Sequence, residues 1–325
     1  MDWYENASAR EWRTTPAPAE VLAFHRSLPA YRPTPLTAVP GLAAELGVGR
    51  VLVKDESSRL GLPAFKALGA WWAIDRALVE GTAELVTATD GNHGRAVARR
   101  AVQLGLDAFV FVPDVVSEAA IAAIRDEGAT VRVVPGSYDD AVAEAAAYAG
   151  AERLLIQDSA WPGYEVVPQL IVDGYSTLFR EIEASADLVV VPMGVGSVAQ
   201  AAVTHYRSEA AGPMLLGVEP TAAPCITTSL LAGKPVTVPT TKTVMAGLNC
   251  GTPSTLAWPV LRSGLDHAIT VDDEAALQAS TDLAAAGISS GPSGAATLAG
   301  LRAARPNLNL GSDSTVILIN TEAAH

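Results

Sequence analysis

Three short segments of this 325-residue chain carry residue types able to do chemistry. The first runs Gly61-Leu62-Pro63-Ala64-Phe65-Lys66, just after the charged stretch Lys54-Asp55-Glu56-Ser57-Ser58-Arg59. Lys66 falls in the first turn of a predicted helix, where the partial positive charge of the helix start disfavours an ammonium. That placement depresses the amine pKa, and a neutral amine is the nucleophile that makes a Schiff base. A solvated surface lysine is the plainer alternative. The second segment is Ala88-Thr89-Asp90-Gly91-Asn92-His93-Gly94, at the carboxyl end of a predicted strand. Asp90 and Asn92 suit helix capping and the glycines permit close backbone approach, so a capped turn competes with a ligand-facing polar set. The third is Gly194-Val195-Gly196-Ser197, between a strand and a helix. There, backbone N–H groups and the helix start would cradle an anion, with Ser197 adding a hydroxyl or acting as N-cap. Ala199 replaces the third glycine of a dinucleotide loop, and no lysine follows as a nucleotide P-loop requires.

These segments need elements to hold them. Apolar runs at Val51–Val53, Glu84–Ala88, Ala108–Val112, Val131–Val134, Leu154–Ile156, Leu188–Val191, Met214–Val218, Ala268–Val271 and Thr315–Ile319 read as strands. Many are continuous Val, Ile and Leu rather than alternating, the mark of parallel strands covered on both faces. Stretches of helical period lie between them, at Phe65–Leu78, His93–Gln103, Glu118–Glu127, Tyr138–Tyr148 and Tyr164–Glu181. The succession predicts an α/β fold with two doubly wound parallel-sheet domains and a ligand crevice between them. Residues 61–160 are expected to form the small domain, and 1–60 with 161–325 the large one. Val51–Val53 is compatible with either sheet. The prolines at 29, 33, 35 and 40 make the segment around them extended.

A formal net charge of −13 repels nucleic acid and anionic lipid, so neither is an expected partner. No uncharged apolar run is long enough to cross a bilayer, and Met1–Arg13 lacks the apolar core of an export signal, so a cytoplasmic enzyme is expected. Two cysteines, Cys225 and Cys250, are too few for a disulfide framework or a CxxC zinc site. Free thiols are expected, with a single bridge between neighbouring loops as the alternative.

Taken in order, AFKALGA, TDGNHG and GVGS resemble the fold-type II pyridoxal-phosphate (PLP) enzymes, the tryptophan-synthase-β-like superfamily. The segments KDESSR at 54–59, QDSAWPGY at 157–164 and MAGLNCGTPS at 245–254 resemble the diaminopropionate ammonia-lyase branch, and the likeness spans about residues 24–322. The resemblance implies PLP in the cleft, held covalently by Lys66. Asn92 would hydrogen-bond the ring oxygen, and Gly194, Val195, Gly196 and Ser197 would bind the phosphate. Thr321 would face the pyridine nitrogen, with Asn320 the competing candidate. Asp90 and Asp158 would remove the α-proton from the two enantiomers of a small amino acid. The implied reaction is α,β-elimination, converting 2,3-diaminopropionate to pyruvate and ammonia, in a homodimer. A serine or threonine dehydratase and a catalytically weak PLP-binding protein are the alternatives. A dinucleotide-dependent dehydrogenase would leave Lys66 without a role. The sequence departs from the family pattern at Pro292, where a glutamate is usual, at Pro63, where asparagine is common, and after Glu322, where Ala323-Ala324-His325 follow.

Overall fold

The computed structural model describes residues 2–208 and 212–324. Its strands, in chain order, are β1 (Trp3–Glu5), β2 (Leu36–Ala38), β3 (Arg50–Asp55), β4 (Glu84–Ala88), β5 (Asp107–Pro113), β6 (Thr130–Val134), β7 (Arg153–Leu155), β8 (Leu188–Pro192), β9 (Met214–Pro220), β10 (His267–Val271) and β11 (Thr315–Asn320). All nine expected strands are among them. The two others, β1 and β2, are three-residue strands.

Two compact units divide the chain: Met1–Phe65 with Ser176–His325, and Lys66–Tyr175. The first is built on a seven-stranded sheet in the order β1-β10-β9-β8-β11-β3-β2. Its five inner strands run parallel, and both edge strands pair antiparallel. Val51–Val53, which the sequence leaves compatible with either sheet, lies here beside β11. The core sets Val53, Val190, Leu216, Val218, Val316 and Leu318 against Leu298 and Leu301 of the helix Pro292–Ala304. Each such fully buried side chain contributes about 1.5–3 kcal/mol relative to exposure.

The second unit carries a parallel four-stranded sheet, order β6-β5-β4-β7. Val86, Ala88, Phe111 and Leu155 of its sheet pack against Ala141 and Ala145 of the helix Tyr138–Tyr148. The helices Lys66–Ala77 and Val166–Arg180 touch backbone to backbone. A Cβ on Gly174 would lie 2.5 Å from Leu68 O, and one on Gly69 2.5 Å from Tyr175 Cε1. Only glycines allow that approach, which sets Tyr175 against the start of the helix that Lys66 opens.

Candidate active site

In the second unit, Lys66 is the first residue of its helix, as the sequence predicts. Its Nζ donates to Asp158 Oδ2 at 2.6 Å, and the two side chains are 23% and 7% exposed. Asp158 follows β7 at the carboxyl end of the sheet. Burial alone would raise its pKa. The Lys66 ammonium, together with hydrogen bonds from Lys66 and Tyr138, instead holds it well below the usual carboxylate range. Asp90 follows β4, the neighbouring strand. Burial, then the Asp158 charge, push its carboxyl up to about 7, against the opposing pull of Lys66. Two carboxyls thus stand in one unit with pKa values forced apart, Asp158 ionised and Asp90 divided between its two forms near neutral pH.

The expectation that Asp90 or Asn92 caps the following helix is not met. That helix spans Asn92–Leu104, its N-cap is Gly91, and no side chain of the cap residue bonds to it. Thr89 does the work: its Oγ1 accepts from Gly91 N at 3.0 Å and Gly94 N at 3.1 Å. A Cβ on Gly94 would lie 2.4 Å from Thr89 Cγ2, so the glycine is what lets Thr89 close over the turn. With the N–H groups taken by Thr89, Asp90 is left for another role. His93 is buried and its Nε2 lies 2.8 Å from Ile156 O. A carbonyl only accepts, so the proton sits on Nε2. Burial lowers the pKa of the ring, which is therefore neutral.

Tyr138 and Tyr175 also reach this cluster. The Tyr138 hydroxyl donates to Asp158 Oδ1 at 3.3 Å, and the buried Tyr175 phenol lies within the field of the Lys66 ammonium. Neither residue belongs to a motif that flags chemistry. Tyr138 opens a helix, Tyr175 lies within one, and only tertiary packing brings them to Lys66 and Asp158.

In the first unit, Gly194, Val195 and Gly196 turn the chain from β8 into the helix Ser197–Arg207. The N-cap is Gly196, at φ +101°, rather than Ser197, which is the first helical residue. The cap position offers no side-chain bond. A glycine at the cap position brings no side chain over the start of that helix, and helix starts of this kind suit anions. The turn is braced from behind. Ser254 N donates to Val195 O at 2.9 Å, and a Cβ on Gly194 would come within 3.2 Å of Cys250 Sγ and 3.1 Å of Gly247 O. Cys225 Sγ reaches Gly194 O at 3.7 Å. Both cysteines are buried free thiols.

Asn320 and Thr321 end β11. The side chain of Asn320 is fully engaged: Oδ1 accepts from Ser290 Oγ at 2.7 Å, and Nδ2 donates to Asp55 Oδ1 and Ser289 O, both at 2.8 Å. The Thr321 hydroxyl has no such bond among the described residues, although the residue is 4% exposed. Asn320 is thus removed as a ligand candidate and Thr321 remains. Pro292 opens the helix Pro292–Ala304, a position that suits proline, and Glu322 Oε1 accepts from Ser293 N at 3.3 Å. The charges of the 54–59 stretch turn inward. Arg59 bonds Glu56 and Glu181, and Lys54 Nζ lies 2.5 Å from Glu181 Oε2, all with side chains at most 3% exposed.

No group of histidines, cysteines and acids among the described residues forms a metal-binding cluster. No helix among them is long and apolar enough to cross a membrane.

The sequence pattern of the family described as "Pyridoxal-phosphate dependent enzyme" matches residues 28–322. Diaminopropionate ammonia-lyase from Salmonella typhimurium is 38% identical over 291 residues, covering 78% of this chain and 72% of the relative. L-threonine ammonia-lyase from Geobacter sulfurreducens is more distant, 30% identical with 67% and 57% covered. Among solved structures, diaminopropionate ammonia lyase from Escherichia coli, in complex with an aminoacrylate-PLP azomethine reaction intermediate, superimposes with a TM-score of 0.91 at 33% identity. That match covers 99% of this chain and 93% of the other.

Proposed function

The chain belongs to the pyridoxal-phosphate-dependent enzymes and, within them, to the diaminopropionate ammonia-lyase family, and from that premise we propose that it converts 2,3-diaminopropionate and water to pyruvate and two molecules of ammonia. The observation that carries this reading is the pairing of Lys66 with Asp158 beside a second carboxyl, Asp90, whose pKa is pushed up to about 7. An amine able to hold an aldehyde and two acids able to handle one α-proton are what such an elimination needs.

The residues fit the cofactor. The uncapped helix start after Gly196 suits its phosphate, with Gly194, Val195, Gly196 and Ser197 as the binding turn. Lys66 supplies the amine for its aldehyde, Asn92 a donor for its ring oxygen, and Thr321 an unengaged hydroxyl for its pyridine nitrogen. When bound, PLP supplies an electron sink for the carbanion at the α-carbon. A neutral hydroxyl at the ring nitrogen does not fix a full positive charge there, which favours loss of the β-substituent over longer-lived carbanion chemistry.

Lys66 holds the cofactor until the substrate amine takes its place. Displaced from the cofactor as a neutral amine, Lys66 would no longer set an ammonium against Asp158, which makes Asp158 a stronger base. Asp158 then takes the α-proton of one enantiomer, and Asp90 that of the other. The carboxyl that has taken the α-proton, or the protonated form of Asp90 when Asp158 is the base, supplies the proton to the departing β-amine.

Purified holoenzyme tests this directly. Borohydride should fix the cofactor to the peptide carrying Lys66, and pyruvate should form from D- or L-2,3-diaminopropionate faster than pyruvate forms from serine or 2-oxobutyrate from threonine. Pyruvate from serine but not from diaminopropionate would replace the reading with a dehydratase. A fixed cofactor with no product from any of them would leave a PLP-binding protein without turnover.

A further inference from the structure

Gln157, the residue before Asp158, is fully buried, and its amide can face only one way. Its Oε1 lies 2.9 Å from Ala88 N and 3.2 Å from Thr87 Oγ1. A backbone N–H only donates, so the amide oxygen must be on that side and the nitrogen on the other. Nε2 then donates to the Tyr138 hydroxyl at 2.7 Å. A phenol that accepts from the amide directs its own hydrogen elsewhere, and the acceptor in line is Asp158 Oδ1, at 3.3 Å. Tyr138 is itself held at a fixed point. It is the first residue of its helix, whose start is closed by a reciprocal capping box between Ser137 and Asp140.

We infer that Tyr138, aimed by Gln157, is a positioning residue for Asp158, the neutral donor that keeps this carboxylate oriented when Lys66 does not present an ammonium to it. The inference rests on the proposed role of Asp158 as a base. In the state described here Lys66 draws the carboxylate by Oδ2 at 2.6 Å, and the phenol contact on Oδ1 is correspondingly long. Contacts of this kind tighten in the working complex. The other titratable groups that act on Asp158 are His93, which is neutral, Asp90, Tyr164 and Tyr175. Tyr138 bonds Oδ1, the oxygen opposite the Lys66 contact, and the Gln157 amide that aims it also reaches that oxygen, at 3.4 Å.

The test is Tyr138→Phe in the holoenzyme. The acidic limb of the kcat/KM profile should move up by roughly one pH unit for the enantiomer that depends on Asp158. Below that limb, the rate should fall about tenfold. The limb for the other enantiomer should move less. Carbon-13 NMR of labelled aspartate, with Asp158→Asn assigning the resonance, should show Asp158 titrating at higher pH in Tyr138→Phe than in the parent holoenzyme. Incorporating 3,5-difluorotyrosine at position 138 keeps the shape and strengthens the donor, so it should move the titration down, and it decides the matter if Tyr138→Phe does not fold. An unchanged Asp158 titration in folded, cofactor-loaded protein would overturn the inference. Equal losses for both enantiomers with no movement of either limb would do the same. If the parent enzyme does not turn over diaminopropionate, the proposed function fails, while the NMR titration still decides the part played by Tyr138.

Discussion

Asn320 Nδ2 donates to Asp55 Oδ1 over 2.8 Å, tying together the carboxyl ends of the neighbouring parallel strands β11 and β3 at paired positions. The amide is part of the scaffold, and the hydroxyl of the next residue, Thr321, is the one proposed to meet the cofactor. Asn320→Leu should destabilise the protein by about 1–3 kcal/mol, since it strands the buried Ser290 hydroxyl and removes the partner of the half-buried Asp55 carboxylate. Thr321→Val should change stability by less than about 1 kcal/mol, yet alter the visible absorbance and affinity of bound PLP. Urea unfolding of the cofactor-free protein and cofactor titration separate the two. A Thr321→Val protein with unaltered spectrum and affinity would remove that residue from the ring nitrogen.

Gly196→Ala joins two penalties at the phosphate turn. Its φ of +101° strains any residue with a side chain, and the added Cβ would lie 2.9 Å from both Ala257 Cβ and Leu261 Cδ1. A loss of roughly 2 kcal/mol or more is expected, together with weaker cofactor binding. Cofactor affinity equal to that of the parent would show that this turn does not carry the phosphate.

Thr89 and Asp90 are adjacent and should behave oppositely. Thr89→Ala removes the acceptor for two N–H groups and should lose about 1–2 kcal/mol at any pH. Asp90 has a folded-state pKa of about 7, above its unfolded value near 4, so the folded state binds the proton more tightly. Stability therefore falls as pH rises from about 4 to about 7. Asp90→Asn has no such proton to lose. Relative to the parent it should gain on the order of 1 kcal/mol or more at pH 8, and little at pH 4. Asp158 has the reverse sign. Its depressed pKa gives a contribution present above about pH 4 and lost as pH falls through the folded value, so Asp158→Asn should be less stable than the parent at neutral pH. Unfolding midpoints of the cofactor-free proteins at pH 4 and pH 8 check both signs.

The same two acids should divide by substrate hand. Asp90→Asn and Asp158→Asn are each expected to impair mainly one enantiomer of 2,3-diaminopropionate, by on the order of a hundredfold or more. Small, equal effects on both would remove the pair from the proton transfer.

How much of this was legible in the chain follows from the kind of contact involved. Strands such as Leu188–Pro192 announce themselves because burial on both faces demands an unbroken run like LVVVP. The pair β1 and β2 does not, since three residues at a sheet edge need no such pattern. Lys66 and Gly196 are readable because helix starts and tight turns impose local rules. Asp90 misleads for the same reason: an Asp before a helix looks like its cap, and nothing local says that Thr89 reaches the N–H groups first. Tyr138, Tyr175 and the orientation of Gln157 depend on packing between distant segments, so no spacing rule reveals them. The inward turn of Lys54, Glu56 and Arg59 is hidden likewise, because their partner Glu181 lies more than a hundred residues away.

The two short antiparallel strands at the margins of the seven-stranded sheet have a consequence for solubility. An unpaired margin of parallel, Val- and Ile-rich strand is a template on which other chains can add and precipitate. Here β1 covers the open side of β10, with Trp3 stacked on His267, and β2, flanked by Pro35 and Pro40, covers that of β3. Each covering strand is too short to recruit a further one. Trimming the chain up to Asn6 would uncover the open side of β10 at Ile269 and its neighbours and should make the protein more prone to clump, although β1 lies at the sheet margin away from the phosphate turn.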